Sequence, residues 1–369
     1  MDPNPSGYRT IDEFTLQDVE AMRTILRGDS VIDWQRLFLA DHAAVDEFLR
    51  AQEFLPDQED DRARMEAIKT EAIEYLRRNF DYPIPRSIAA QSVQQLLLTA
   101  SGRGHKQVCA CVILKVMHII HHLAGRELLY MLPLSDAQVF QLVEEKVYRV
   151  IGGMLADGLP VTEFLGGRKN RDSLYTKLLS KTETIAAQIY DKLRFRVVTR
   201  TTDDVLPVLN YLSRRLFPYN YVIPSESKNT LIDPREVAAA HPPFAAHLRN
   251  PLSHGRMAGL SDLVDNKFSA RSYRVIHFVV DLPVRLPREV LASAPPAARS
   301  LGAVVFVLTE FQLVDQASEL SNTTGDASHE QYKERQRAAV RDRLRLGVVP
   351  ARRSARPPAP EPAPAKPRG

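Results

Sequence analysis

Residues 303–313 read AVVFVLTEFQL, an apolar and β-branched run that predicts a strand ending near Glu310. Runs of the same character are RFRVVT at 194–199, NYVI at 220–223 and YRVIHFVV at 273–280. TTDDVLPVLNYLSRRLF, at 201–217, predicts an amphipathic helix that begins with a capping box of Thr201 and Asp204. Strand, helix, strand is typical of a layered sheet. We therefore expect a mixed sheet flanked by helices over residues 156–345, and an α+β protein overall.

Residues 1–155 have a different pattern and predict an all-helical domain. Apolar residues recur there at spacings of three and four, which is the period of a helix with one buried face. Ser135 is placed to cap the last of these helices. The predicted helical segments are TLQDVEAMRTILRG (15–28), DDRARMEAIKTEAIEYLRRNF (60–80), IAAQSVQQLLLTASG (88–102) and SDAQVFQLVEEKVYRVIGGML (135–155).

Two further segments stand apart from both domains. Residues 224–268 are polar, contain His and Pro, and lack a clear period, so we interpret them as an insertion in the second domain. Residues 346–369 are basic and rich in Pro and Ala, a composition that favours a disordered tail.

Bulk composition excludes several classes of protein. The 369 residues are 44% hydrophobic and 25% charged, which is typical of a globular chain. No run near the roughly 18–20 apolar residues of a membrane span is evident, and the N-terminus lacks a secretory pattern. Cys109 and Cys111 are the two cysteines, too few for a disulfide framework. We expect a cytoplasmic protein without a membrane partner, whose net charge of +4 permits anionic ligands.

Two carboxylates flank predicted strands. Asp191 directly precedes the strand RFRVVT, and Glu310 lies at the predicted end of VVFVLTE. If these strands are neighbours, both carboxylates converge on one place, and oxygen ligands of this kind suit Mg²⁺.

A cationic segment, GGRKNRDSLYTKLLSK at 166–181, precedes the first of these carboxylates. Gly166 and Gly167 predict a tight turn, and a helix is expected to begin at Ser173. Lys177 lies one helical turn after Ser173, so a phosphate chain is expected to bind at the start of this helix.

Four short patterns in fixed order resemble the synthetase domain of the RelA/SpoT family, which makes guanosine tetra- and pentaphosphate alarmones. The resemblance covers roughly residues 165–335. The patterns are Lys169-x-x-x-Ser173-x-x-x-Lys177, Asp191-x-x-x-x-Arg196, Tyr273-x-x-x-His277 and Glu310-x-Gln312, followed by His329, Tyr332 and Lys333 at the spacing of a later family motif.

The resemblance implies a bacterial, ATP-dependent pyrophosphokinase of the stringent response that requires Mg²⁺. It implies Asp191 as a metal ligand and Glu310 as the second ligand or the general base toward the acceptor's 3′-hydroxyl. It also implies that Tyr273 stacks on the acceptor base. The residues that it assigns to nucleotide or phosphate binding are Arg168, Lys169, Ser173, Lys177, Arg196, Tyr273, His277, Gln312, His329 and Lys333.

Several family positions hold other residues in this chain. Gly167 stands at a family arginine, Val314 at a second one, and Arg271-Ser272 at the Asn-Gly before the tyrosine. Three functions therefore stay open. The first is transfer of pyrophosphate from ATP to GDP or GTP. The second is transfer to another acceptor, such as tRNA or an adenine nucleotide, and the third is a catalytically inactive nucleotide-binding or interaction module. Homo-oligomer formation is also left open.

A separate histidine-rich run, KVMHIIHHLAGRELL at 115–129, lies in the helical half. His118 and His122 are four residues apart with Glu127 nearby, a spacing that suits a metal site. Since the run is apolar on all sides and the chain has no His-Asp dipeptide, we interpret these residues as buried or boundary histidines and expect no alarmone hydrolase activity.

Overall fold

A mixed five-stranded sheet with helices packed around it confirms the expected α+β class. The computed structural model describes residues 7–27, 37–180, 192–249, 273–324 and 329–346. The strand order is β1–β2–β5–β4–β3, with β2 and β5 parallel and the other pairs antiparallel. The strands are β1 (Val161–Arg168), β2 (Leu193–Thr199), β3 (Lys228–Asn229), β4 (Ile276–Arg285) and β5 (Val304–Asp315).

Helices occupy most of the rest of the described chain. Those of the first half are α1 (Leu16–Arg27), α2 (His42–Ala51), α3 (Glu59–Phe80), α4 (Arg86–Ala89), α5 (Val93–Ala100), α6 (His105–Met131) and α7 (Asp136–Ala156). Those of the second half are α8 (Arg171–Ser180), α9 (Val205–Arg215), α10 (Pro234–Ala240), α11 (Pro242–Leu248), α12 (Arg288–Ala292), α13 (Gln316–Thr324) and α14 (His329–Leu346).

The aromatic side chains of the three central strands build one face of the sheet. Phe195 of β2 and Phe278 of β4 both stack on Phe311 of β5, with ring centroids 5.7 Å apart in each pair. Phe217, which follows α9, closes this cluster against Phe311 at 5.4 Å. Because side chains alternate along a strand, the residues between these aromatics point to the opposite face.

Capping explains where several predicted helices begin. Ser135 and Gln138 form a reciprocal capping box at the start of α7, and Thr201 and Asp204 form another before α9. The predicted helix over 88–102 is divided in two, because the Ser92 hydroxyl accepts a hydrogen bond from the backbone N–H of Gln95 and starts α5 afresh.

Three local predictions from the sequence are wrong. NYVI is not a strand: Tyr219–Tyr221 form a buried 3₁₀ turn after Pro218, and Val222 makes a single bridge to Val280. Gly166 and Gly167 do not form a turn but lie inside β1. A Cβ on Gly166 would lie 2.9 Å from the ring of Phe195, so this glycine permits close packing of the strand.

The third correction concerns the end of β5. Glu310 lies in the middle of this strand, which continues to Asp315 because β2 and β4 pair with it on both sides. The first part of the predicted insertion contains β3, α10 and α11, and the remainder lies outside the described residues, as do residues 347–369 of the predicted tail. The division into domains near residue 155 stays a prediction, since buried residues of both halves belong to one hydrophobic core.

Helix α6 is the main contact between the helical half and the sheet. It packs on α3, α5 and β5. It is also long and apolar enough to cross a membrane, with mean hydropathy 1.7 over 18 residues, so the expectation that no such run exists is wrong. Because 56% of that window is buried inside the protein, α6 also has the properties of a core helix.

Gly125 permits the close crossing of α6 over β5. A Cβ built at this position would lie 2.5 Å from the ring of Phe306 and 2.8 Å from the carbonyl oxygen of Val304. Gly152, on α7, has nothing within 4 Å of such an atom.

We predict opposite effects of the same substitution at these two glycines. Gly125→Ala should lower the free energy of unfolding by about 1–3 kcal/mol, because β5 cannot retreat from the added methyl group. Gly152→Ala should raise it by about 0.5–1 kcal/mol through helix propensity alone. Urea unfolding measures both; a stabilised Gly125→Ala protein would contradict the close crossing.

Two histidines of α6 are uncharged in the fold. Burial, reinforced by His122, lowers the pKa of His118 from 6.5 to about 3. Burial, followed by the charges of His118, Arg64 and His122, lowers the pKa of His121 to about 3 as well. In the unfolded chain both take up a proton near pH 6.5.

We therefore predict that acid destabilises the protein from about pH 6.5 downward. The unfolded state binds more protons than the folded state between the two pKa values, so stability is present above pH 6.5 and is lost toward pH 3. Each histidine contributes up to about 1.4 kcal/mol per pH unit. His121→Leu should remove about half of the slope measured by urea unfolding between pH 6.5 and 5; an unchanged slope would show that other groups dominate it.

Candidate active site

Polar side chains cover the face of the sheet opposite the aromatic cluster. Strand register places Arg196 beside Gln312, Gln312 beside His277, and His277 beside Lys228. These four residues form a row across β2, β5, β4 and β3, and directly opposed residues in a sheet share a face. In the next row Arg194 lies opposite Glu310.

Arg196 is the hydrogen-bonding centre of this row. Its Nε and Nη2 donate to Oε1 of Gln312 at 2.9 and 2.6 Å, and Nη2 also donates to the Tyr273 hydroxyl at 3.1 Å. Its Nη1 donates to Glu319 Oε1 at 2.7 Å. Burial alone would lower the pKa of Arg196, but Tyr273, Glu319 and Glu310 together raise it. The guanidinium is therefore a permanent, fixed positive charge.

Glu310 is a buried carboxylate within reach of two donors. Its exposed fraction is 4%, Gln312 Nε2 donates to its Oε1 at 2.6 Å, and His277 Nε2 lies 3.3 Å from the same oxygen. Gln312 thus connects Glu310 to Arg196, because its oxygen accepts from the arginine while its nitrogen donates to the carboxylate. Five of the predicted site residues (Arg196, Tyr273, His277, Glu310 and Gln312) belong to this one network.

Tyr273 closes the network from the segment before β4. Burial raises the pKa of its hydroxyl, with Arg196 acting in the opposite direction. The phenol is therefore neutral at physiological pH, and its oxygen accepts the hydrogen bond from Arg196.

The other predicted site residues lie on neighbouring elements. Lys169 follows β1, and its backbone N–H donates to the carbonyl of Lys192 at 2.9 Å, next to the start of β2. Ser173 and Lys177 lie on α8, which packs along α14. His329 is the first residue of α14, and Lys333 is exposed one turn later. Asp191 lies outside the described residues.

Arg168 is bound by the helical half of the protein. Its Nε and Nη2 donate to the two carboxylate oxygens of Glu144 on α7, at 2.9 and 2.8 Å. The guanidinium also lies 5.8 Å from the centre of the Phe140 ring. Its predicted role in phosphate binding stays a prediction, and any ligand would compete with this bidentate pair.

Sequence reasoning missed three polar residues of this face. Arg194 is exposed, faces the same side as Arg196 and pairs in register with Glu310. Alternation along LRFRVV could have identified it. Lys228 comes from the predicted insertion and lies beside His277, and Glu319 comes from α13 and bonds to Arg196. Only the tertiary structure brings these pairs together.

The described residues offer one carboxylate, Glu310, at the centre of this face, and they contain no group of three His, Cys, Asp or Glu side chains spaced for a metal ion. Zinc normally takes three or four such ligands, whereas Mg²⁺ binds through one or two carboxylates together with substrate phosphates and water. Glu310 is the one group of this described network whose oxygens could serve as such a carboxylate ligand.

We predict that the two arginines of β2 differ in their effect on stability. Arg196→Ala should lower the free energy of unfolding by roughly 2–4 kcal/mol, since Glu319, whose Oε2 is already buried without a partner in the described structure, would lose its cation. Arg194→Ala should change stability by no more than about 0.5 kcal/mol, because that side chain is exposed. Urea unfolding distinguishes them, and equal losses would argue against the network centred on Arg196.

No family model and no curated protein matches the chain. Among solved structures, small alarmone synthetase 1 from Bacillus subtilis matches with a TM-score of 0.29 and 19% identity, over 56% of this chain and 86% of that one. Small alarmone synthetase 2 from Bacillus subtilis matches with a TM-score of 0.29 and 15% identity over 57% and 93%. A GTP pyrophosphokinase family protein from Streptococcus pneumoniae matches with a TM-score of 0.27 and 17% identity over 56% and 84%.

The small alarmone synthetases among these structures are of the class that the sequence motifs resemble. Any functional assignment depends on the residues of the chain's own site.

Proposed function

We propose that the chain is a Mg²⁺-dependent pyrophosphokinase, which transfers pyrophosphate from ATP to the 3′-hydroxyl of a guanine nucleotide. The observation that carries the proposal is the network of Glu310, Gln312, Arg196 and His277 on one face of three adjacent strands. A buried carboxylate beside a fixed cation suits such a transfer, because positioning and charge neutralisation supply most of its catalysis.

Glu310 is suited to act on the acceptor hydroxyl. Its carboxylate is oriented by Gln312 and lies beside His277, so one oxygen is already in a defined position. In this proposal Glu310 accepts the proton of the 3′-hydroxyl or, with Asp191, holds Mg²⁺. The metal would neutralise charge on the transferred phosphates.

Basic side chains lie on both sides of Glu310. Arg194 and Arg196 lie on β2, which pairs in parallel with β5. His277 lies on β4 and Lys228 on β3, on the other side of β5. Neighbouring strands are about 4.8 Å apart, so these groups span about three strand spacings. We propose that the β2 side, with Lys169 and Lys177, binds the triphosphate of ATP, and that the β4 side, with Tyr273, binds the acceptor.

Known ligands of similar proteins suggest the first probes. Structures of small alarmone synthetase 1 from Bacillus subtilis have been solved bound to pppGpp and bound to AMPCPP. GDP and GTP are therefore the first acceptors to test. tRNA and adenine nucleotides follow, because the residues before Tyr273 differ from the family motif. We also propose a cytoplasmic location, since both cysteines are buried and free.

A catalytically inactive nucleotide-binding or interaction module is the second candidate. The observation that favours it is that Arg196 already donates hydrogen bonds to Gln312, Tyr273 and Glu319. A nucleotide phosphate would have to displace one of these partners. Binding without release of AMP would identify this second function.

We predict that Glu310→Gln lowers the rate of pyrophosphate transfer by roughly 100- to 10,000-fold, because the amide cannot accept a proton. The assay incubates the full chain with ATP labelled at the γ-phosphate, Mg²⁺ and GDP, GTP or tRNA, and separates labelled acceptor from ATP. ATP affinity measured in parallel should change little.

Glu289→Gln is the matched control, because Glu289 is an exposed carboxylate on α12, away from the network. It should transfer at the rate of the unaltered protein. Absence of labelled acceptor with the unaltered protein, despite measurable ATP binding, would reject the pyrophosphokinase and support the inactive module.

A further inference from the structure

A cavity of about 50 Å³ lies inside the helical half, away from the candidate active site. Helices α2, α3, α5 and α6 and the 3₁₀ turn Tyr219–Tyr221 enclose it. Most of its wall is apolar, with Phe54, Met65, Leu97 and Met117 among its members. One side is polar, and its members are Gln52, His118, His121, Asn220 and Tyr221.

The polar side contains hydrogen-bonding atoms that no described residue satisfies. Both ring nitrogens of His121 and Oδ1 of Asn220 are buried and lack a hydrogen-bond partner in the described structure. His121 is 6% exposed and Asn220 is 2% exposed. Buried polar atoms are almost always hydrogen-bonded, so three unsatisfied atoms around one cavity can bind a small polar guest molecule there.

The neighbouring bonds define what each group can offer. Asn220 Nδ2 lies 3.3 Å from His118 Nδ1, so the amide nitrogen is already engaged and its oxygen is left to accept. Burial lowers the pKa of His121 to about 3, so its ring is neutral and presents one donor and one acceptor. A guest that satisfies these atoms must itself both donate and accept, and a charged guest would be penalised in this apolar surrounding.

Size and access limit the guest further. A water molecule needs about 10–15 Å³ of such volume, so the cavity holds a guest of roughly three to five non-hydrogen atoms. Phe48, on α2, and Gln52, directly after its end, are the lining residues that are only half buried. They are the entrance that the described structure offers.

We propose that this cavity is a binding site for a small, neutral molecule that carries both a hydrogen-bond donor and an acceptor on a short apolar body. The site is independent of the proposed pyrophosphokinase function. The cavity is lined by α6, and this helix also contacts the sheet. His122, the residue after His121, has its Nε2 2.5 Å from Asp281 Oδ2 on β4. The guest therefore binds on the helix that contacts the sheet.

The test compares three molecules of four non-hydrogen atoms on the full, unaltered chain. Acetamide is neutral and both donates and accepts, acetone only accepts, and acetate is charged. With ¹³C-labelled histidine, NMR titration follows the ring signals of His118 and His121. We expect acetamide to shift both signals saturably with a Kd on the order of millimolar, acetone to bind more weakly, and acetate to bind at least about tenfold more weakly than acetamide.

Variants connect the signals to the cavity. His121→Leu should abolish the acetamide-dependent shift of His118, because it removes two of the three unsatisfied polar atoms of the wall. Leu97→Phe should do the same by filling the space while the histidines remain. His105→Leu, at the exposed start of α6, is the matched control and should leave binding unchanged.

Three results would overturn the proposal: no shift with any of the molecules, equal shifts with acetamide and acetate, or an acetamide shift that persists in both cavity variants. Water contacts to the His121 ring that acetamide does not displace would assign the cavity to hydration alone, and would overturn it equally. The comparison on the unaltered chain gives an answer even if His121→Leu fails to fold.

Discussion

The parallel pairing of β2 with β5 is the constraint on which the candidate site depends. It places Arg194 opposite Glu310 and Arg196 opposite Gln312, while Phe195 stacks on Phe311 on the other side. Because side chains alternate with a period of two, a shift of one residue would exchange the aromatic and polar faces. Burial of the aromatic face therefore fixes the register that brings the arginines to the carboxylate.

Fixed side chains give this face its chemical character. Arg196 bonds to Gln312, Tyr273 and Glu319, and Gln312 in turn orients Glu310. Groups held in this way need no reorganisation when charge develops on a substrate, which is the main source of electrostatic catalysis. The same bonds impose a cost on any ligand that must displace one of them, so the network defines both candidate functions.

The helical half is part of the same hydrophobic core and supports the sheet through α6. Gly125 permits that helix to approach β5, and His122 and Arg126 bond to the buried carboxylate of Asp281 on β4. Asp281 is on the same strand as His277, so the helical half and the candidate site are connected through one strand. The internal cavity beside His118 and His121 is lined by residues of this same helix.

The sequence by itself determined the α+β class, helices α1, α3, α5, α7, α8 and α9, three of the strands and the order of the motifs, because hydrophobic period and capping are local properties. It could not place NYVI, where burial of Tyr219 and Tyr221 outweighed β-propensity, or Gly166, whose role depends on the ring of Phe195. Only the tertiary structure decided that Arg168 binds Glu144 and that Lys228 and Glu319 join the polar face. Those contacts join residues far apart in the chain, and strand pairing and helix packing, rather than local pattern, bring them together.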